Sequence, residues 1–189
     1  MAVRGALLSL LWALAGAAPV CAAGLNPPER LTLKGVDYVP DPAGVRGSHG
    51  PWRYVTEDEL ESGPWSTEIV LSQRHGPVST PEAEAARLRA GRGRPSVRLL
   101  DAHADPQHAY WGYLEEPPAG EQSSYLAGAG KSFHAARCQG VVHYEFRARY
   151  PMAWLPNERQ RTALRQELEN DVRRFADALK ADGWRPSCE

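Results

Sequence analysis

The sequence lacks the short motifs that identify the common catalytic and redox sites. It has no GxSxG, HExxH or CxxC pattern, and its three cysteines, Cys21, Cys138 and Cys188, are widely spaced. The AGAGKS segment at 127–132 also lacks the first glycine of a phosphate-binding loop, because Tyr125 occupies that position. These absences argue against serine hydrolases, HExxH metalloproteases, CxxC redox proteins and nucleotide-binding proteins of the P-loop type.

An excess of charge of either sign is also absent. The chain has 22 Lys and Arg against 23 Asp and Glu, for a formal net charge of -1. Near the C-terminus both signs are interspersed, for instance Arg165, Glu169 and Arg173 at four-residue spacing, which is typical of a solvated and paired helix face. The charge pattern therefore predicts no binding to nucleic acid and no attachment to an anionic membrane surface.

Long hydrophobic runs are missing after the first 23 residues. Residues 1–23 combine Arg4, a short apolar run and the small residues that precede a signal-peptidase site after Ala23. This pattern predicts a secretory signal and a mature protein that is exported, to the periplasm, without a transmembrane segment. The alternative is that Cys21 is retained and lipidated.

The strongest periodic patterns lie in the last third of the chain. Apolar and polar residues alternate over 142–150, which predicts a half-buried strand, within a longer extended stretch that begins at Phe133. Apolar residues then recur every three or four positions over 158–182, which predicts an amphipathic helix. The residues on that helical stripe are Leu164, Leu168, Val172, Phe175 and Leu179.

The rest of the chain predicts short strands and one further helix. Residues 24–30 form an N-terminal arm and residues 31–189 a single domain. Strand patterns occupy 31–39, 66–74, 96–103 and 108–114, and a short helix with cap Thr80 and first-turn Pro81 occupies 79–91. Strands and helices do not alternate regularly. The predicted fold class is therefore α+β, a mostly antiparallel sheet with one face covered by the long C-terminal helix.

The spacing of the last two cysteines predicts a disulfide bond. An extended strand from Cys138 to Tyr150 would span about 40 Å at ~3.3 Å per residue. The following helix would return about 36 Å at ~1.5 Å per residue. Cys188 would then lie at the level of Cys138, and an exported protein would keep the bond oxidised. The alternative is a pair of free thiols.

A cluster of oxygen and nitrogen ligands follows one predicted strand. Asp101, His103 and Asp105 have period-two spacing, with His108 close behind, and together they could bind Mn or Zn. The DAHAD segment is similar to the manganese-binding motif of the arginase/ureohydrolase family, a resemblance that implies a metal-dependent hydrolase. The other metal signatures of that family are absent from the sequence, so its activity is not carried over. The alternative is a strand that ends in an Asp105-Pro106 turn with no cofactor.

Aromatic side chains on the next strand predict a binding surface. In AYWGYL, Tyr110 lies on one face, and Trp111 and Tyr113 lie on the other. Either both faces are buried, or one face is free to bind a partner, with Trp52 and Trp65 on adjacent turns contributing.

Because no catalytic constellation is evident, the function predicted from the sequence is binding. We expect a small exported protein without a cofactor that interacts with another protein or a component of the cell envelope. The alternative is a metal-binding protein or metal-dependent hydrolase that uses the cluster of Asp101, His103, Asp105 and His108.

Overall fold

The computed structural model describes residues 24–44, 50–62, 64–91, 96–117, 124–151 and 158–189. The predicted signal segment, including Cys21, lies outside the described residues. The strands are β1 Leu25–Asn26, β2 Leu31–Leu33, β3 Val36–Pro40, β4 Trp52–Val55, β5 Thr67–His75, β6 Val97–Ala104, β7 Ala109–Glu115, β8 Ser124–Ala135, β9 Gly140–Pro151 and β10 Ser187–Cys188. The α-helices are α1 Glu57–Ser62, α2 Pro81–Ala90 and α3 Glu158–Ala181, and short 3-10 turns occupy Pro42–Gly44 and Ala136–Cys138.

Eight of the strands form one antiparallel sheet in the order β2-β3-β4-β5-β9-β8-β7-β6. Strand β6 is one edge of this sheet. Strands β1 and β10 pair separately, so that the beginning and the end of the described chain lie side by side. The predicted α+β class, with a mostly antiparallel sheet and a long C-terminal helix, is confirmed.

The sheet has two different faces. Helix α3 packs on the first, here called the helix face, where it contacts β7 and β8. The predicted helical stripe points into this core: Leu168, Val172 and Leu179 are buried, and the other two members are partly buried. Burial of three such side chains contributes roughly 5 to 9 kcal/mol before chain entropy is subtracted. The apolar residues of the pattern therefore hold α3 against the sheet.

Helix α2 lies on the opposite side of the sheet, here called the open face. The predicted cap is confirmed, because Thr80 Oγ1 accepts a hydrogen bond of 3.2 Å from the Ala83 amide and Pro81 is the first helical residue. Helix α2 contacts β6, β7 and β8.

Two predicted strands prove to be hairpins. The single extended stretch from Phe133 to Tyr150 is wrong, because a 3-10 turn and Gln139, with φ of 48°, separate β8 from β9. The strand predicted over 31–39 is likewise divided, because Lys34 and Gly35 adopt φ of 54° and 78° in a tight turn between β2 and β3. Gln139 and Lys34 are unusual residue types for left-handed backbone, so the residue types at these positions did not predict either turn.

The AGAGKS segment is part of strand β8, where its lysine has a structural role. Lys131 is 1% exposed, and its ammonium group donates to the carbonyl oxygens of Leu179 and Asp182, each at 2.8 Å. These carbonyls belong to the end of α3, where a positive charge complements the helix dipole. The motif lysine therefore anchors the C-terminus of the long helix.

The predicted disulfide between Cys138 and Cys188 is confirmed, with the two Cα atoms 5.2 Å apart. Cys138 lies in the turn before β9 rather than in the strand itself. That turn is at the end of the sheet to which α3 returns, so the expected return of the chain brings the cysteines together. None of the helices in the described parts of the chain is long and apolar enough to cross a membrane.

Candidate functional site

The four residues of the predicted metal cluster lie in two separate pairs. His103 Nδ1 is 2.6 Å from Asp101 Oδ2 on strand β6. Asp105 instead accepts a hydrogen bond of 2.7 Å from the His108 amide, and the buried His108 ring donates to the Ser132 carbonyl oxygen at 2.8 Å. Within the described residues, no group of three or more His, Cys, Asp or Glu side chains is placed to hold a metal ion. The structure therefore does not assemble these four side chains into one ligand set.

The Asp101 and His103 pair lines a cavity of about 300 Å³ between edge strand β6 and helix α3, here called the edge cavity. A bulge in β6 between Leu99 and Asp101 shifts the register, so that Asp101 pairs with Gly112 and His103 with Tyr110. The cavity lining includes Leu100, Asp101, His103, Tyr110, Val172, Arg173 and Ala176.

Of the four residues of the predicted aromatic surface, three lie on the same side of the sheet, and Trp111 and Trp65 among them are buried. Trp111, Tyr113 and Trp65 all line concave regions beside the open face. Trp52 does not join them, because it packs in the main core cluster with Leu71, its partner across β4 and β5. The structure thus places three of the four predicted aromatic residues on one side of the sheet and the fourth in the core.

Two adjoining concave regions, of about 540 and 380 Å³, form a groove along the open face. They share Glu115, Leu126 and Arg147, and helix α2 forms one wall of the larger region. We call this feature the open-face groove. Its lining includes Leu88, Leu99, Trp111, Tyr113, Leu126, Arg147 and Trp65.

The floor of the groove is a paired set of polar side chains. Arg147 donates to Glu145 at 2.8 Å and to Glu68 at 3.3 Å, and the Tyr113 hydroxyl donates to Glu145. Burial lowers the pKa of Arg147, but the charge and hydrogen bond of Glu145, together with Tyr113 and Glu68, outweigh burial and raise that pKa above its ordinary value. Burial, followed by the Glu145 charge, raises the pKa of Tyr113. The floor therefore presents a charged guanidinium group and a protonated tyrosine at neutral pH.

Two glycines of the AGAGKS segment allow the aromatic rings to lie flat on the sheet. Gly128 pairs with Tyr113 and Gly130 with Trp111 across strands β7 and β8. A Cβ atom added at Gly128 would lie 2.5 Å from the Tyr113 ring, and one at Gly130 would overlap the Trp111 ring. The glycines are thus explained by cross-strand packing, a signal that a search for phosphate loops does not detect.

Helix α2, the wall of the groove, is held by a buried carboxylate. The Glu84 side chain is 0% exposed, and it accepts hydrogen bonds from Arg74 at 2.5 Å, from His143 at 2.9 Å and from Arg87. Burial raises the pKa of Glu84, but the hydrogen bonds from His143 and Arg87 outweigh it and hold the pKa well below its usual range. The cluster joins α2 to β5 and β9. Sequence reasoning missed it because its members are far apart in the chain.

A serine and histidine contact near α2 does not form a nucleophilic site. Ser132 Oγ lies 2.8 Å from His134 Nε2, but Ser132 is 0% exposed and its hydroxyl also accepts from the Ala109 amide at 3.0 Å. A substrate has no access to this hydroxyl, so its role is structural.

Comparisons with protein-family models, with curated proteins and with solved structures find no match to this chain.

Proposed function

We propose that the protein is an exported, periplasmic binding protein of the cell envelope that recognises a segment of another protein in the open-face groove. The observation that carries this proposal is the groove itself, an elongated concavity with apolar walls and charged side chains of both signs. Leu99, which lines it, is 38% exposed, one of four large apolar residues that are exposed among the described residues. A bound apolar side chain would remove such surface from water.

A protein segment suits the groove better than a carbohydrate does. Sugar rings bind by stacking on exposed aromatic faces, and the two tryptophans here are already covered. Trp111 is 7% exposed and packs edge-on against His143, with ring centroids 5.3 Å apart. The Trp65 ring is covered by the Arg149 guanidinium group at 4.0 Å. The side chains left accessible include Leu99, which favours apolar residues of a polypeptide.

Edge strand β6 is a less suitable docking site than the groove. Addition of a partner strand needs a regular row of free backbone groups. The bulge between Leu99 and Asp101 interrupts this row, and Arg89 of helix α2 donates to the Ala102 carbonyl oxygen at 2.5 Å. The partner is therefore expected to bind through side chains in the groove.

Export is supported by the predicted signal segment and by the disulfide, because disulfides persist in oxidising compartments. The bond between Cys138 and Cys188 ties the turn before β9 to the end of the described chain. Mass spectrometry of protein recovered from the periplasm should find Gly24 at its N-terminus. Recovery of an uncleaved chain from the cytoplasm alone would contradict export.

Binding is tested by selection from a library of displayed random peptides of about 12 residues. The wild-type protein should enrich peptides that share apolar residues, and Leu99→Glu should weaken them by roughly tenfold or more, because a buried Leu contributes ~1.5 to 3 kcal/mol. Val36→Glu is the matched control, since Val36 is a 44% exposed strand residue that does not line the groove. Failure to enrich a common sequence, or equal weakening by both substitutions, would refute the proposal.

A further inference from the structure

The edge cavity is a second concave site, on the helix-face side of strand β6, and Leu99 and Trp111 line both it and the open-face groove. Helix α3 lies close to strand β7 at Gly112, where an added Cβ atom would lie 2.6 Å from Val172 Cγ1. The ion pair between Arg98 and Glu169 joins β6 to α3 at one end of the cavity. At its other end the His103 ring stacks on a tyrosine of β7. Strands β6 and β7 and helix α3 therefore form the walls of the cavity.

The β6 wall of the cavity presents hydrogen-bond acceptors. Asp101 Oδ2 is 2.6 Å from His103 Nδ1, and the His103 ring stacks on Tyr110 at 5.5 Å and 24°. When His103 Nδ1 carries the proton for this contact, Nε2 of the neutral ring is an acceptor. The Asp101 side chain is 64% exposed and still has capacity to accept from a ligand.

The α3 wall presents a hydrogen-bond donor with positive charge. Arg173 lines the cavity, and its guanidinium group donates to the neutral amide oxygen of Asn170 at 3.0 Å. Asp101 pairs in register with Gly112, which lies under Val172, the neighbour of Arg173 in α3. Asp101 of β6 and Arg173 of α3 both line the cavity, one on each of its two walls. The structure shows no ion pair between these two described side chains.

We propose that the edge cavity binds a small zwitterion with an apolar side chain, of the amino-acid class. Asp101 receives the ammonium group, Arg173 receives the carboxylate, and the side chain packs against Leu100, Val172 and Ala176. A volume of about 300 Å³ is at the lower end of the range for ligand sites and suits a molecule of this size. A ligand with only one charge would bind only one of Asp101 and Arg173 and would lose one charge-assisted hydrogen bond, so both charges are needed for tight binding.

The ligand class is tested by titration calorimetry of the wild-type protein with three probes of similar shape. L-leucine carries both charges, 4-methylpentanoic acid lacks the ammonium group, and 3-methylbutylamine lacks the carboxylate. L-leucine should bind saturably, and each analogue should bind about tenfold more weakly or worse, because each loses a charge-assisted hydrogen bond. The titration should extend to about 10 mM L-leucine, so that even weak binding would be detected. If no saturable binding is seen up to that concentration, the proposal is overturned.

Substitutions locate the binding in the cavity. Asp101→Asn and Arg173→Gln should each weaken L-leucine by about tenfold. Asp177→Asn and Arg159→Gln are the matched controls, because these exposed α3 residues do not line the cavity. Ala176→Leu should block binding by filling the cavity while both charges stay in place. Equal effects of the first pair and the controls, or full binding by Ala176→Leu, would overturn the assignment.

Discussion

Replacement of Glu84 by glutamine should loosen the helix that forms the wall of the open-face groove. The substitution keeps the size of the side chain but removes the charge that Arg74, Arg87 and His143 share. The Arg74 and Arg87 side chains are 38% and 51% exposed, so water compensates much of their loss, and each contributes little. The His143 side chain is only 16% exposed, and its hydrogen bond is harder to replace.

The expected loss of stability is about 2 to 3 kcal/mol, below the ~3 to 5 kcal/mol typical of a fully buried ion pair that loses one partner. For a domain of this size, that corresponds to a fall in Tm of roughly 4 to 12 °C at ~2 to 4 °C per kcal/mol. The assay is urea unfolding at pH 7, monitored by tryptophan fluorescence. Glu82→Gln is the control, because Glu82 is an exposed residue of the same helix and should change stability by less than about 0.5 kcal/mol.

The pH dependence supplies a second readout for the same residue. The pKa of Glu84 is lower in the folded protein than in the unfolded chain, so its contribution is complete above the ordinary carboxyl range and is lost as the pH falls below it. The gap between wild type and Glu84→Gln should narrow below about pH 4. The reasoning is refuted if Glu84→Gln matches Glu82→Gln at pH 7, or if the gap widens in acid.

Two further predictions concern the attachment of the C-terminal region. Replacement of Cys138 and Cys188 by alanine should lower the free energy of unfolding by about 4 kcal/mol, which is the chain-entropy value for a closed loop of this length. Reductant should lower the free energy of unfolding of the wild-type protein by a similar amount. An unchanged urea midpoint would contradict a stabilising bond. Lys131→Met should lower the free energy of unfolding by about 2 kcal/mol, because the carbonyl oxygens of Leu179 and Asp182 lose a charged donor. Amide hydrogen exchange should become faster in the last turn of α3. Unchanged protection of these amides would contradict the anchoring role.

The predicted interaction residues were placed with mixed accuracy. The alternation of AYWGYL predicted that Trp111 and Tyr113 share a face of the sheet, and the structure confirms this. The prediction was possible because residues two positions apart share a face in any strand. The same local reasoning could not tell that Trp52 lies on the opposite face of the sheet, within the core. The face of a distant strand depends on its pairing register, and register is set by partners elsewhere in the chain.

The metal cluster shows a similar limit. Period-two spacing treats Asp101, His103 and Asp105 as neighbours on an ideal strand, yet Asp105 instead caps the turn before β7. The sequence did indicate that Asp101 and His103 would meet. It could not indicate that α3 would bring Arg173 to the same cavity, because that depends on how a helix some 70 residues later crosses the sheet.

Patterns of spacing along the sequence were enough to determine the α+β class, the buried stripe of α3, the cap of α2 at Thr80 and the pairing of Cys138 with Cys188. Each depends on spacing along the chain, which fixes which side chains share a face or a level. The tertiary structure alone decided that Glu84 is buried beneath Arg74 and His143, and that a groove and a cavity form beside the same sheet. Such contacts join strands and helices remote in sequence, and their energy is gained only after those elements have packed.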